Sequence, residues 1–311
     1  MAEVSEAVRQ RLVDLGDEGR QWLARLDDTI SRLEQRWDCT IAEPVAGAST
    51  AYVARASDSA GREAVAKIAI PGGGRGYAGF ERELEALTLG ANDAYVGVLA
   101  SDVEHRGLLL ERLGPPLADC GFTVPRQIDV LAPTIQAGWF RPTNPDGLVS
   151  GKEQAEWLLE FVGSHVHILT TQLRSETIAT ALEFARRRAA AFDPERAVFI
   201  HGDAHEGNVL FGGDAKFKMI DPEGLWSEPA HDLAIPLRGW TSEVVAAGDD
   251  SGDRATQWCH QFAELAQLDP RAIWEWSFLE RVSTGLALTL LSLNEGRDYL
   301  ASADLLFHVE I

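Results

Sequence analysis

Two short apolar runs, residues 197–200 and 209–211, enclose His201-Gly202-Asp203-Ala204-His205-Glu206-Gly207-Asn208, and thirteen residues beyond Asn208 stands Asp221, in Ile220-Asp221-Pro222-Glu223. The apolar runs have the length and character of short strands, so the loop between them is expected to be held rigid from both sides. It presents an Asp, an Asn and a later Asp in the order that phosphoryl transfer from Mg-ATP requires. In such a set Asp203 orients an acceptor hydroxyl and takes its proton, while Asn208 and Asp221 hold Mg²⁺. Gly-Asp and Glu-Gly-Asn are also ordinary turn formers. The chemical reading therefore depends on whether the remaining parts occur upstream and in order.

Residues 64–70, Ala-Val-Ala-Lys-Ile-Ala-Ile, form a strand-like run with one charge, Lys67. A charge inside such a run is costly unless paired. Lys67 is therefore either an edge residue facing water or a phosphate-binding lysine with an acidic partner. Residues 80–87 have helical spacing, with Phe80, Leu84 and Leu87 on one face. Glu83, sixteen residues after Lys67, is the candidate partner, with Glu81 and Glu85 as alternatives.

Residues 107–113 read as a buried strand that ends at Gly114-Pro115-Pro116. Such a break suits a linker in which backbone groups near Glu111 and Leu113 bond an adenine edge; a plain strand and turn is the other reading. Ala46-Gly47-Ala48-Ser49-Thr50 could be a hairpin tip whose backbone N–H groups, Ser49 included, approach phosphate, or an ordinary turn. Residues 74–79 fit G-x-G-x-x-G, the form of a dinucleotide fingerprint. Pro71-Gly72-Gly73 separates them from the strand and no repeated βαβ pattern follows, so a plain glycine loop is the reading preferred.

The chain resembles the aminoglycoside phosphotransferases, and within them the streptomycin 6-kinase and aminoglycoside/hydroxyurea resistance kinase group. The resemblance rests on His201-Gly-Asp203-x-His205-x-Gly-Asn208, on residues 220–224 and on His231-Asp232-Leu233-Ala234. The group assignment leans on residues 280–286 (Glu-Arg-Val-Ser-Thr-Gly-Leu) and on Gly19-Arg20-x-Trp22. The likeness spans about residues 15–306 and implies an α+β, two-lobed, protein-kinase-like fold. It implies Asp203 as catalytic base, Asn208 and Asp221 as Mg²⁺ ligands, Lys67 on the ATP phosphates with Glu83 as its partner, and Asp232 as a structural Asp closing the loop after the metal site. His-Gly-Asp replaces the His-Arg-Asp of protein kinases, Asp-Pro-Glu replaces Asp-Phe-Gly, and Ala-Pro-Glu is missing. Control by an activation-loop phosphate is not expected.

At 311 residues with 45% hydrophobic content the chain is ample for a sizeable core. Its formal charge of −20 argues against nucleic acid and anionic membrane as partners. That charge suits a cationic small molecule, and serves solubility equally well. Cys39, Cys120 and Cys259 are an odd number without C-x-x-C, as expected of reduced thiols in cytosol. No signal peptide or membrane span is read from the sequence.

The expected layout is helices over 1–37, with Trp22, Leu23, Leu26, Ile30 and Leu33 on one face. A mostly antiparallel sheet with one helix follows to 113, and a helical catalytic unit occupies 114–311. Residues 122–150, Pro-, Thr- and Gly-containing after a short helix, read as a loop near the substrate mouth, and 249–253 as a polar loop between helices. His165 and His167, two apart, do not share a helix face, and His201 is read as bracing the loop. The reaction expected is transfer of the ATP γ-phosphoryl group to a hydroxyl of a cationic acceptor, streptomycin at its 6-hydroxyl being the one the resemblance implies. Glu223, Glu275 and Glu280 are candidate contacts to that cation, and a monomer or weak dimer is expected. A metabolic kinase of a sugar, amino sugar or amino alcohol is the alternative. A nucleotide-binding pseudokinase is disfavoured because Lys67, Glu83, Asp203, Asn208 and Asp221 are all present.

Overall fold

A computed structural model describes residues 3–45, 50–72, 79–90, 93–214, 216–291 and 293–311. The chain divides into two compact units, Met1–Gly114 and Pro115–Ile311, and its class is α+β.

In the first unit, α1 (Glu6–Asp14) starts where Ser5 accepts the Val8 N–H at 3.2 Å. α2 (Asp17–Trp37) ends at Asp38, whose φ of 49° unwinds the last turn. The strands are β1 (Cys39–Pro44), β2 (Ala51–Asp58), β3 (Glu63–Ala69), β4 (Val98–Asp102) and β5 (Gly107–Glu111), with α3 (Gly79–Leu89) between β3 and β4. They form one antiparallel sheet in the order β1-β2-β3-β5-β4.

The period of two along a strand decides what each face carries. Ala64, Ala66 and Ile68 of β3 join Ala54, Ala56 and Leu109 in a core that also takes Leu26 and Leu33 of α2, with Trp22, Leu23 and Ile30 packed beside it. Lys67, between Ala66 and Ile68, necessarily points to the opposite face.

The second unit contains α4 (Val124–Ala137), β6 (Val149–Ser150), α5 (Gly151–Ser164), α6 (Val166–Leu169), α7 (Ser175–Ala191), β7 (Val198–Ile200), β8 (Val209–Gly213), β9 (Lys216–Met219) and β10 (Leu225–Ser227). It continues through α8 (Pro229–Arg238), α9 (Thr241–Ala246), α10 (Ser251–Ala266), α11 (Pro270–Leu290) and α12 (Glu295–Leu306). β6, β10 and β7 make a three-stranded sheet, and β8 pairs with β9. The two strands flanking the polar loop thus belong to different sheets. α11, capped by Asp269 and opened by Pro270, is buried along residues 272–283 and packs on α7, α8 and α12.

Two expectations are corrected. Residues 122–150 are not all loop: Val124, Ile128, Leu131 and Ile135 repeat at helical spacing and are buried on α4, and Pro133 lies within that helix. The polar stretch 249–253 is not all loop either, because α10 begins at Ser251. His165 and His167 fall at the junction of α5 and α6. Among the described residues no helix is long and apolar enough to cross a membrane.

Candidate active site

β7 delivers the polar loop from a buried anchor. Phe199 and Ile200 are fully buried, and the Phe199 ring stacks on Phe140 with centroids 4.7 Å apart. The chain then turns at Gly202, whose φ of 84° favours glycine. Asp232, buried on α8, clamps this turn. Its Oδ2 accepts the His201 N–H at 3.0 Å and the Trp139 indole N–H at 2.9 Å, and its Oδ1 accepts the Gly202 N–H at 2.9 Å. The expectation that Asp232 closes the loop after the metal site is corrected on this point: it holds the stretch leading into Asp203.

His201 is fully buried and ties the loop to the segment that carries Asp221. Its Nδ1 accepts the Asp203 N–H at 3.1 Å, and its Nε2 lies 2.9 Å from the Ile220 carbonyl oxygen. These roles need the neutral ring with the proton on Nε2. Burial favours that form and lowers the imidazole pKa from its ordinary 6.5, outweighing the nearby carboxylates of Asp232 and Asp203. The Ile220 N–H also donates to the Asn208 carbonyl at 2.9 Å, and Asp221 follows with φ of 59°.

Asp203 and Asn208 form one hydrogen-bonded pair. Asn208 Nδ2 lies 3.0 Å from the Asp203 carbonyl oxygen and 3.3 Å from Asp203 Oδ2. The amide nitrogen is thereby committed, which leaves Oδ1 as the atom of Asn208 that could serve a metal. One amide oxygen and one carboxylate suit a hard cation that keeps waters and phosphate oxygens in its shell, as Mg²⁺ does. No cluster of three or more His, Cys, Asp or Glu suited to a metal occurs among the described residues.

The side chain of Asp203 is 28% exposed, and its Oδ1 takes a bond from the guanidinium of Arg238 at the end of α8. Burial pushes the Asp203 pKa up, but the guanidinium of Arg238 outweighs it and holds the carboxyl below its ordinary range. The sequence reading missed Arg238. The signal was available, because a lone charge in the apolar run Leu233-Ala-Ile-Pro-Leu-Arg238 invites the argument that singled out Lys67.

In the first unit, Lys67 Nζ lies 2.7 Å from Glu83 Oε1, with the side chains 9% and 10% exposed. Glu83 shares the inward face of α3 with Phe80 and Leu87. At the end of β5, Glu111 donates its N–H to the Gly97 carbonyl at 2.9 Å, and its carboxylate takes the Gly97 N–H at 2.6 Å. Leu113 is half-buried just beyond. Ser49 and most of the 74–79 glycine run lie outside the described residues.

Of the three expected cation contacts, Glu223 is half-buried beside the loop, and its N–H donates to the His201 carbonyl at 2.9 Å. Glu275 and Glu280 are corrected: both are buried on α11 with only 2% of their side chains exposed. Glu275 pairs with Arg187 at 3.1 Å and Arg188 at 2.8 Å, and Glu280 with His231 at 3.2 Å and Arg238 at 3.6 Å. Carboxylates held this way inside the unit are not open to an acceptor.

A family profile described as aminoglycoside/hydroxyurea antibiotic resistance kinase matches residues 169–288. A streptomycin 6-kinase of Streptomyces griseus is 29% identical over 245 residues, covering 75% of this chain and 74% of that protein. A hydroxyurea phosphotransferase of Kitasatospora aureofaciens is 30% identical over 291 residues, 87% of this chain and 79% of that one. Among solved structures, a spectinomycin phosphotransferase with bound AMP matches at a TM-score of 0.58 and 16% identity, over 92% of this chain and 99% of that chain. At that identity the likeness speaks to the fold, which is that of the kinase-like phosphotransferases.

Proposed function

We infer the reaction from one premise: the chain belongs to the aminoglycoside/hydroxyurea antibiotic resistance kinase family and is a small-molecule kinase. The reading is that it moves the γ-phosphoryl group of ATP to a hydroxyl of a cationic antibiotic, with streptomycin at the 6-hydroxyl as the acceptor. The observation that carries the chemistry is the Asp203–Asn208 pair, in which the amide nitrogen bonds Asp203 and the amide oxygen is left for a metal. Identity to a streptomycin 6-kinase supports the choice of acceptor.

Asp203 orients the acceptor hydroxyl and collects its proton late. The transition state is loose, so a carboxylate of depressed basicity suffices. Asn208 and Asp221 would hold Mg²⁺, which supplies charge neutralisation on the phosphates. Lys67, kept in place by Glu83, would bind the phosphates with its ammonium group. His201 and Asp232 keep the loop backbone fixed, so the reacting groups lose little freedom on binding. Glu223 remains the candidate contact for a cationic group of the acceptor.

The test is ADP release with Mg-ATP over streptomycin, other aminoglycosides, hydroxyurea and simple amino sugars, with Asp203→Ala as control. Turnover with streptomycin that the substitution abolishes is expected. Turnover confined to hydroxyurea would keep the mechanism and replace the acceptor, as the second relative suggests. Turnover confined to an amino sugar would defeat the antibiotic reading.

A further inference from the structure

The residues of α8 and α11 behind Asp203 form a polar chain that neither substrate binding nor metal binding uses. Ser227 Oγ, at the end of β10, lies 3.2 Å from His231 Nδ1. His231 is fully buried, stacks on Trp276 with ring centroids 3.8 Å apart, and lies 3.2 Å through Nε2 from Glu280 Oε1. Glu280 Oε2 is 3.6 Å from Arg238 Nη1, and Arg238 Nη2 reaches Asp203 Oδ1.

A carboxylate turns easily about its last torsion, where the rotamer wells are broad. Asp203 has lost that freedom because both oxygens are engaged, Oδ1 by Arg238 and Oδ2 by Asn208 at 3.3 Å. An arginine side chain has many rotamers and positions nothing unless it is itself fixed. Glu280 supplies that fixing. A buried carboxylate is tolerated because His231 and Arg238 meet it, and removing one partner of such a cluster leaves an uncompensated charge.

We propose that Arg238 and Glu280 are positioning residues for the phosphoryl transfer: Glu280 fixes the guanidinium of Arg238, and Arg238 holds the Asp203 carboxylate in the rotamer that presents Oδ2 to the acceptor hydroxyl. The proposal rests on Asp203 being the base. It gives the segment 280–286 a part in catalysis through the base instead of through the acceptor.

The experiment compares Arg238→Ala, Arg238→Lys and Glu280→Gln with the wild type. It uses steady-state kinetics with streptomycin and Mg-ATP, thermal melting, and crystal structures of the variants. A misplaced group costs about 10²-fold in rate. Arg238→Ala is expected to lose kcat on that scale with the KM for ATP unchanged, and added guanidinium should restore part of it. Arg238→Lys should fall between. Glu280→Gln keeps the bond to His231 and loses only the charge facing Arg238, so a loss of about tenfold in kcat without a matching fall in melting temperature is expected. In the Arg238→Ala crystal the Asp203 carboxylate should be rotated from its wild-type position. An unmoved carboxylate overturns the proposal, as does a kcat that falls only in step with the melting temperature and that guanidinium does not rescue. If the wild type turns over no acceptor, the kinase reading fails and the proposal falls with it; an active wild type with an unmoved carboxylate overturns the proposal alone.

Discussion

His201 works as a neutral ring, accepting from the Asp203 N–H on one side and reaching the Ile220 carbonyl on the other. Its imidazole pKa is lowered by burial, so the unfolded chain binds the proton more readily than the folded one. The stability contributed by the neutral form is therefore complete above the ordinary pKa of 6.5 and is lost as pH falls below it. His201→Asn should destabilise by about 1–3 kcal/mol at pH 8, the cost of unmet buried hydrogen-bonding groups. That gap from wild type should narrow as pH is lowered through 6 to 5, read by denaturant unfolding. A gap that widened toward acid would mean that the charged ring is the one the fold holds. At this scale Lys67 was legible because a lone charge in an apolar run must be paired, and Glu83 as the acid sixteen residues on in the next helix, while its place on the buried face with Phe80 and Leu87 came from the structure. Arg238 carries the same signature, but its partner Asp203 lies 35 positions back on a different element. Only the folded chain brings the two together.

Among the elements, α11 departs furthest from its sequence appearance. Its Glu275 and Glu280 read as charges available to substrate, yet they and Arg281 are buried with the apolar residues around them. Arg281 is met by Ser302 Oγ at 2.8 Å and by the Leu237 carbonyl, and burial lowers its pKa to about 10. The close approach of α11 to α12 explains Gly285 in the same segment. A Cβ there would fall 2.8 Å from Leu300 Cδ2 and 2.9 Å from Tyr299 Cβ, and a Cβ at Gly296 would fall 2.8 Å from the Gly285 carbonyl oxygen. Gly285→Ala should cost about 1–3 kcal/mol, the usual penalty of overpacking. Gly163→Ala on α5, whose Cβ would meet only Leu182 Cδ2 of α7 at 4.0 Å, should be neutral or stabilising by up to about 1 kcal/mol. Melting temperatures of the two variants check the contrast. α4 was hidden for a different reason: Pro125 and Pro133 read as breaks, but proline is accepted in a first turn, and the apolar face of this helix carries the second through.

For the whole molecule, the relevant quantity is a formal charge of −20 on 311 residues. Such a field raises the local concentration of a cation and is screened by salt over about 8–10 Å. The KM for streptomycin should therefore rise between low salt and about 0.3 M salt, while that for uncharged hydroxyurea should not. Equal responses of the two acceptors would remove steering as a role for the acidic surface. Sequence alone was enough for the order of Lys67, Glu83, Asp203, Asn208 and Asp221, because strand period, helical spacing and the cost of an unpaired charge are local properties, while the class of fold came from the resemblance that these motifs carry. Sequence was also enough to give the strands that bracket the loop 201–208. The tertiary structure alone decided that Asp232 clamps the turn before Asp203, that Arg238 pairs with Asp203, and that Glu275 and Glu280 are interior partners. A carboxylate reads the same in sequence whether it meets water, a ligand or an arginine, and only packing puts one of these beside it.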